Sequence, residues 1–135
     1  LAQHKEEAVR ELGRFFRLDQ GRMLPMPIGA VDEVWHELVE RPDSYASFCH
    51  GQVGHHVEHS SECVGEGAIS WKEEYEKAHG EIPEIWFRDA NGNLDEESRD
   101  RYLKTGIWKA CWECGPIQPS KPEESNELVA EVIAN

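Results

Sequence analysis

The residues of this chain that could do chemistry are histidines, cysteines and one well-placed acid. In "VDEVWHELVE", residues 31–40, Asp32 and His36 are four positions apart. This spacing places both side chains on one face of a helix, where they can ligate one ion or hydrogen-bond to each other. The pair therefore predicts either a working metal site or a histidine that a carboxylate holds in a purely structural role.

A second group of ligands follows in "GHHVEHSSEC", residues 54–63. His55 and His59 are four positions apart, as are His59 and Cys63, and His56 precedes His59 by three. If the preceding helix continues this far, imidazole and thiol groups converge, and both are ligands that zinc prefers. The alternative is a set of solvated histidines.

Two further thiols lie in "CWECG", where Cys111 and Cys114 are separated by two residues and followed by a glycine. This pattern is typical of half of a structural zinc site. With His59 and Cys63 it predicts a Cys3His set that joins the third helix to the C-terminal segment. A redox-active dithiol and unconnected thiols packed as small apolar groups remain alternatives, although the redox motif lacks its usual βαβ context.

These groups lead to two classes of function. In the first, Asp32, His36 and one of His55 or His56 bind an ion with positions open for a substrate, while the cysteines hold a second, structural ion. Zinc or another divalent metal is the expected cofactor, and whether the protein is an enzyme stays open. In the second, the chain is a non-catalytic module whose acidic surface binds a protein partner.

The net charge limits the partners. Lys and Arg number 14 and Asp and Glu 27, which gives a formal charge of −13. Such a field repels phosphate backbones and anionic lipids, so neither nucleic acid nor a membrane is expected as a partner. No apolar run approaches the ~20 residues of a membrane span, and the first residues lack a signal-peptide core, which predicts a cytoplasmic protein.

The elements that position these residues follow from apolar spacing and from helix-ending residues. An extended crossover is predicted for "MLPMPIG", residues 23–29, with its apolar side chains over the core. The fold class predicted is all-α, a single compact domain of four to six short helices with long connections over residues 1–118. Residues 119–135 are predicted to be a polar tail, either flexible or a short docking helix. Five helices are predicted. The first has about four turns and ends at Gly21, and the second runs from Ala30 to Glu40. The third is capped by Asp43 or Ser44 and reaches Val57, the fourth is capped by Ser70 and ends at Gly80, and the fifth runs from Glu96 to Lys104.

The stretch "VDEVWHELVERPDSYASFC" followed by "GHHVEH" resembles the glycine-rich domain-containing protein-like family in its short bacterial form. The resemblance covers approximately residues 8–86 and implies a helical domain but no particular reaction. This sequence has no glycine-rich domain. The likeness rests on Asp32, Trp35, His36, Tyr45, Phe48, Cys49 and His56.

Overall fold

The computed structural model describes residues 2–18 and 23–118. Its helices are α1 Ala2–Leu18, α2 Ala30–Val39, α3 Pro42–Val53, α4 Lys72–His79 and α5 Glu96–Thr105, with a 3-10 turn at Glu84–Phe87. Its strands are β1 Glu58–Ser60, β2 Gly65–Ala68, β3 Lys109–Trp112 and β4 Gly115–Ile117. The predicted tail, 119–135, and the predicted helix end at Gly21 lie outside the described residues. Within the described part, no helix is both long enough and apolar enough to cross a membrane.

The prediction of an all-α fold is wrong, because the structure combines five helices with two small antiparallel sheets. β1 pairs with β4, and β2 pairs with β3. The strands are only three or four residues long and read "EHS", "GEGA", "KACW" and "GPI". Segments of three or four residues are too short to show the apolar alternation from which a strand is predicted, and glycine interrupts it further in β2 and β4.

The third helix is shorter than predicted. α3 begins at Pro42 and ends at Val53, because Gly54 adopts a left-handed conformation with φ 79°. This is a common way for a helix to stop, since glycine has no Cβ to clash there. Val57 and the histidines around it therefore lie beyond the helix, and the predicted helical spacing of His55, His59 and Cys63 does not apply. The predicted cap at Ser70 is also wrong, since Trp71 occupies that position without a side-chain cap.

The two strand pairs together form one interrupted ribbon. Ser60 pairs with Gly115 at one side of the interruption, and Gly65 pairs with Trp112 at the other. Between these two pairs, residues 61–64 lie opposite residues 113–114, so one side of the ribbon has two residues more than the other. We call this interruption the ribbon break; it contains Cys63 on one side and Cys114 on the other.

The predicted extended crossover is present and lies along the ribbon. Met26 N donates to Cys114 O at 3.0 Å and Ile28 N to Cys111 O at 2.9 Å. From the core side, Trp71 Nε1 donates to Pro25 O at 2.8 Å. Met26 is buried as expected, whereas Ile28 is exposed. The crossover thus holds the backbone of Cys114 in place from one side.

An aromatic cluster fills the centre of the molecule. Phe15 of α1 makes edge or tilted contacts with Trp35, Trp71 and Trp86, with ring centroids 5.1–6.3 Å apart. Val31, Val34 and Trp35 of α2 are buried, as their spacing predicted. Such aromatic pairs add to the stabilisation that comes from burying their area. α2 is therefore fixed against α1 by the same residues that form the core.

One acid is buried inside this cluster. Glu11 of α1 is 1% exposed, and its Oε1 accepts hydrogen bonds from Tyr75 OH at 2.6 Å and from Trp86 Nε1 at 3.0 Å. Its Oε2 accepts from Arg14 Nη1 at 3.2 Å. A buried carboxylate is tolerated only when donors of this kind surround it. Glu11 thereby ties α1 to α4 and to the 3-10 turn.

We expect Trp35→Ala to lower the free energy of unfolding by about 3–5 kcal/mol, because it removes a fully buried indole and leaves a cavity beside Phe15 and Phe16. Chemical denaturation of metal-free protein gives the measurement. Leu103→Ala is the control, since Leu103 is exposed and the change should stay within about 0.5 kcal/mol. Equal unfolding midpoints for the two variants would contradict the packing described.

We expect Glu11→Leu to destabilise the fold by about 3–5 kcal/mol, because the donors of Tyr75, Trp86 and Arg14 would lose their common acceptor. Glu11→Gln keeps one acceptor oxygen and should lose only about 1–3 kcal/mol. Urea denaturation, monitored by tryptophan fluorescence, measures the loss of stability in both variants. A Leu variant as stable as the wild type would show that the network contributes no net stability.

Candidate metal centre

Three elements bring metal-ligating side chains to one point. His36 comes from α2, His59 from β1, and Cys114 from the ribbon break immediately before β4. One donor atom from each of these residues lies within 4.8 Å of the other two. These three residues were predicted as ligands, but the sequence assigned them to two different ions.

Asp32 stands beside two of the three donors. Its Oδ1 accepts a hydrogen bond from Cys114 Sγ at 3.2 Å and lies 3.5 Å from His36 Nε2. In a tetrahedral zinc site, bonds of about 2.0–2.3 Å place neighbouring ligand atoms about 3.3–3.8 Å apart. The distances from Asp32 Oδ1 to Cys114 Sγ and to His36 Nε2 are therefore close to the spacing of neighbouring ligand atoms in such a site. The predicted juxtaposition of Asp32 and His36 on one helix face is present.

His59 is held by ring contacts. Its imidazole meets the edge of Trp35 at a centroid distance of 4.6 Å and that of His36 at 4.8 Å. Its Nε2 is buried and has no hydrogen-bond partner. An unpaired buried nitrogen is unfavourable unless a ligand satisfies it. A metal ion is one partner that could satisfy the lone pair of this nitrogen.

The protonation of His59 suits metal binding. Burial lowers the pKa of His59 below its ordinary value, and the neighbouring His36 acts in the same direction, while Asp32 opposes them. The imidazole is therefore neutral at neutral pH. Only the neutral form has a free lone pair for a metal ion.

Cys114 is the most enclosed of the donors, with 3% of its surface exposed. Burial raises the pKa of its thiol, and the hydrogen bond to Asp32 and the charge of that carboxylate raise it further. Without an ion, Cys114 is consequently a thiol that donates to Asp32. A bound cation would reverse this preference, because thiolate is the ligating form, and one proton would be released.

Cys63 lies next to this set but outside the group of three. Its Cβ would be 3.5 Å from a Cβ added to Gly115, the residue after Cys114. The charge of Cys63 is among the causes that raise the pKa of Cys114. The side chain is half-buried. The ribbon break therefore brings Cys63 next to Gly115, the residue that follows Cys114.

The remaining predicted ligands lie apart from the cluster. Cys111 is exposed on β3, where its Sγ contacts Glu66 Oε1 at 3.6 Å. His56 packs its ring on Tyr45. Both ring nitrogens of His55 are buried without a partner, yet His55 is not a member of the group of three. Because α3 stops at Gly54, the helical spacing that would have put His55 and His56 beside His59 does not apply.

Substrate-sized cavities occur elsewhere on the molecule. Four cavities of about 340–570 Å³ are lined by other parts of the described chain, and none of the four is lined by His36, His59 or Cys114. The one of about 570 Å³ lies between the segment around Arg88 and β3, with Cys111 at its edge. The donor cluster is thus a compact junction between elements, away from these cavities.

Comparisons of the chain with known protein families, with curated proteins and with solved structures found no match. The resemblance to the glycine-rich domain-containing protein-like family therefore stays a prediction. What the cluster can bind follows from its own geometry and from the chemistry of its donors.

Proposed function

We propose that this chain is a zinc-binding domain in which His36, His59 and Cys114 hold one Zn²⁺ and Asp32 supplies the fourth ligand. The observation that carries the proposal is the convergence of three donor atoms within 4.8 Å from elements far apart in the sequence. The unpartnered Nε2 of His59 supports it independently.

The donor set favours zinc over other common divalent ions. Two imidazoles, one thiolate and one carboxylate are ligands of borderline softness, which suit Zn²⁺, whereas Ca²⁺ and Mg²⁺ prefer oxygen alone. The thiolate and the carboxylate together carry two negative charges, which balance the charge of the ion. A neutral centre is favoured here because Cys114 is buried and Asp32 is mostly covered.

The ion has a structural role in this proposal. Four protein ligands fill a tetrahedral site and leave no position open for a substrate. The ligands join α2 to the ribbon, so that binding would clamp a helix onto two strand pairs. The alternative of an acidic interaction module rests on the net charge of −13 and has no further support in a specific contact.

We expect protein purified without chelators to contain one zinc ion per chain. His36→Ala and Cys114→Ser should each abolish stoichiometric zinc while the helical circular-dichroism signal is largely kept, because each removes a ligand without opening a large cavity. Elemental analysis gives the metal content. If two separate ions were bound, each variant would lose only one of them.

The matched controls are His56→Ala and Cys111→Ser, which change the same residue types outside the cluster and should keep the zinc. A wild-type protein that carries no zinc and takes up none when Zn²⁺ is added would overturn the proposed function.

We expect zinc affinity to fall as the pH is lowered from 8 to 6, by about tenfold per pH unit, because Cys114 must lose a proton to bind. The pKa of its free thiol is raised above its ordinary value, so this proton is present over the whole range. Because the pKa of His59 lies below its ordinary value, protonation of that imidazole adds to the loss only at the lowest pH values. Competition with a chromogenic chelator measures the affinity. An affinity independent of pH would exclude a thiolate ligand.

A further inference from the structure

The ribbon break holds two thiols where a metal site of this kind needs one. Cys114 is a ligand in the proposed function, whereas Cys63 stands on the opposite side of the break without a role in it. Residues 61–64 are two residues longer than their counterpart, so this side of the break is not held in register by ladder hydrogen bonds. Cys63 can therefore approach Cys114 without breaking a paired strand.

The positions of the two chain segments support close approach. The Cβ of Cys63 lies 3.5 Å from the position that a Cβ on Gly115 would occupy, so the two segments are in van der Waals contact one residue away from Cys114. Gly115 directly follows Cys114, and the Cα atoms of consecutive residues are about 3.8 Å apart. The disulfide requires a shift of residues 61–64, which lie outside the paired registers of β1 with β4 and of β2 with β3.

The other two cysteines have different surroundings. Cys49 is fully buried on α3. Cys111 is exposed and contacts Glu66, on the ladder of β2 and β3. Cys63 is the thiol that lies in the ribbon break together with Cys114. The imidazole of His36, with 46% of its side chain exposed, leaves the cluster accessible to a small solute from the solvent.

We infer that oxidation by hydrogen peroxide joins Cys63 to Cys114 in a disulfide and thereby releases the zinc ion. This inference rests on the proposed function, since it describes how that same site is regulated. In the reduced protein the ion would link α2 to the ribbon. In the oxidised protein the disulfide would join the two sides of the ribbon break, and the link between α2 and the ribbon would be lost.

The chemistry balances with peroxide as the only oxidant. The Cys114 thiolate attacks one peroxide oxygen, the O–O bond breaks, and a sulfenic acid and one water form after proton transfer. The Cys63 sulfur then attacks the sulfenic sulfur, the S–O bond breaks, and the second water leaves. Two thiols thus lose two electrons and two protons, and one peroxide becomes two waters. A disulfide sulfur is a poor zinc ligand, so the ion dissociates.

The test begins with the zinc-loaded protein, whose metal content is measured before oxidation. Hydrogen peroxide is then added, released zinc is followed with a chromogenic chelator, and peptides are mapped by mass spectrometry without reduction. We expect one zinc per chain to be released in step with a Cys63–Cys114 disulfide. After removal of the chelator, dithiothreitol and added Zn²⁺ should restore the original metal content.

Cys63→Ser is the decisive variant. It should contain as much zinc as the wild type before oxidation, because the substitution changes a residue outside the ligand set. After peroxide treatment its Cys114 lacks a partner and should advance to the sulfinic acid, so dithiothreitol should no longer restore zinc binding. Cys111→Ser should behave like the wild type.

The outcomes separate the two proposals. Absence of zinc before oxidation would overturn both the proposed function and its regulation. Zinc in the untreated protein, followed by release without a Cys63–Cys114 disulfide or with a disulfide to another cysteine, would overturn the redox inference alone. Loss of zinc from untreated Cys63→Ser would do the same, because Cys63 would then be a ligand.

Discussion

The carboxylate of Glu11 is the constraint on which the arrangement of the molecule depends. A buried carboxylate in an aromatic cluster is stable only within reach of hydrogen-bond donors. Because Tyr75 and Trp86 are its donors, they fix the position of α1 relative to the second half of the chain. α1 in turn fixes α2, because Phe15 and Phe16 both contact Trp35. Since α2 carries Asp32 and His36, the location of these two ligands follows from a hydrogen-bond network on the far side of the core.

The proposed centre unites ligands that the sequence had divided between two ions. Trp35 contributes to this union, because its indole packs against the ring of His59 while its neighbour His36 reaches the same point. Core packing and ligand placement are therefore not separate in this part of the molecule. A side chain that fills the core also sets the orientation of an imidazole, which is the role that outer-shell contacts have in metal sites.

Sequence patterns predicted the helices, but not the ribbon or the meeting of His36, His59 and Cys114. Val31, Val34 and Trp35 repeat at helical spacing, so α2 and the common face of Asp32 and His36 could be derived locally. The meeting of His59 with Cys114 depends on the pairing of β1 with β4, which no local pattern encodes. Glu11 was also not predicted, because an acid in a charged amphipathic helix is expected to belong to its solvated face.

The separation of the ligands along the chain sets the order in which the centre can assemble. Asp32 and Cys114 are 82 positions apart, and the pairing of Glu58 with Ile117 closes a loop of similar scale. Closing long loops is entropically unfavourable, and contacts between distant residues form slowly. During synthesis from the N-terminus, α1, α2 and His59 emerge well before β4. The proposed centre would be complete only after residues 109–117 have joined the ribbon, so metal capture would follow the pairing of β4 with β1.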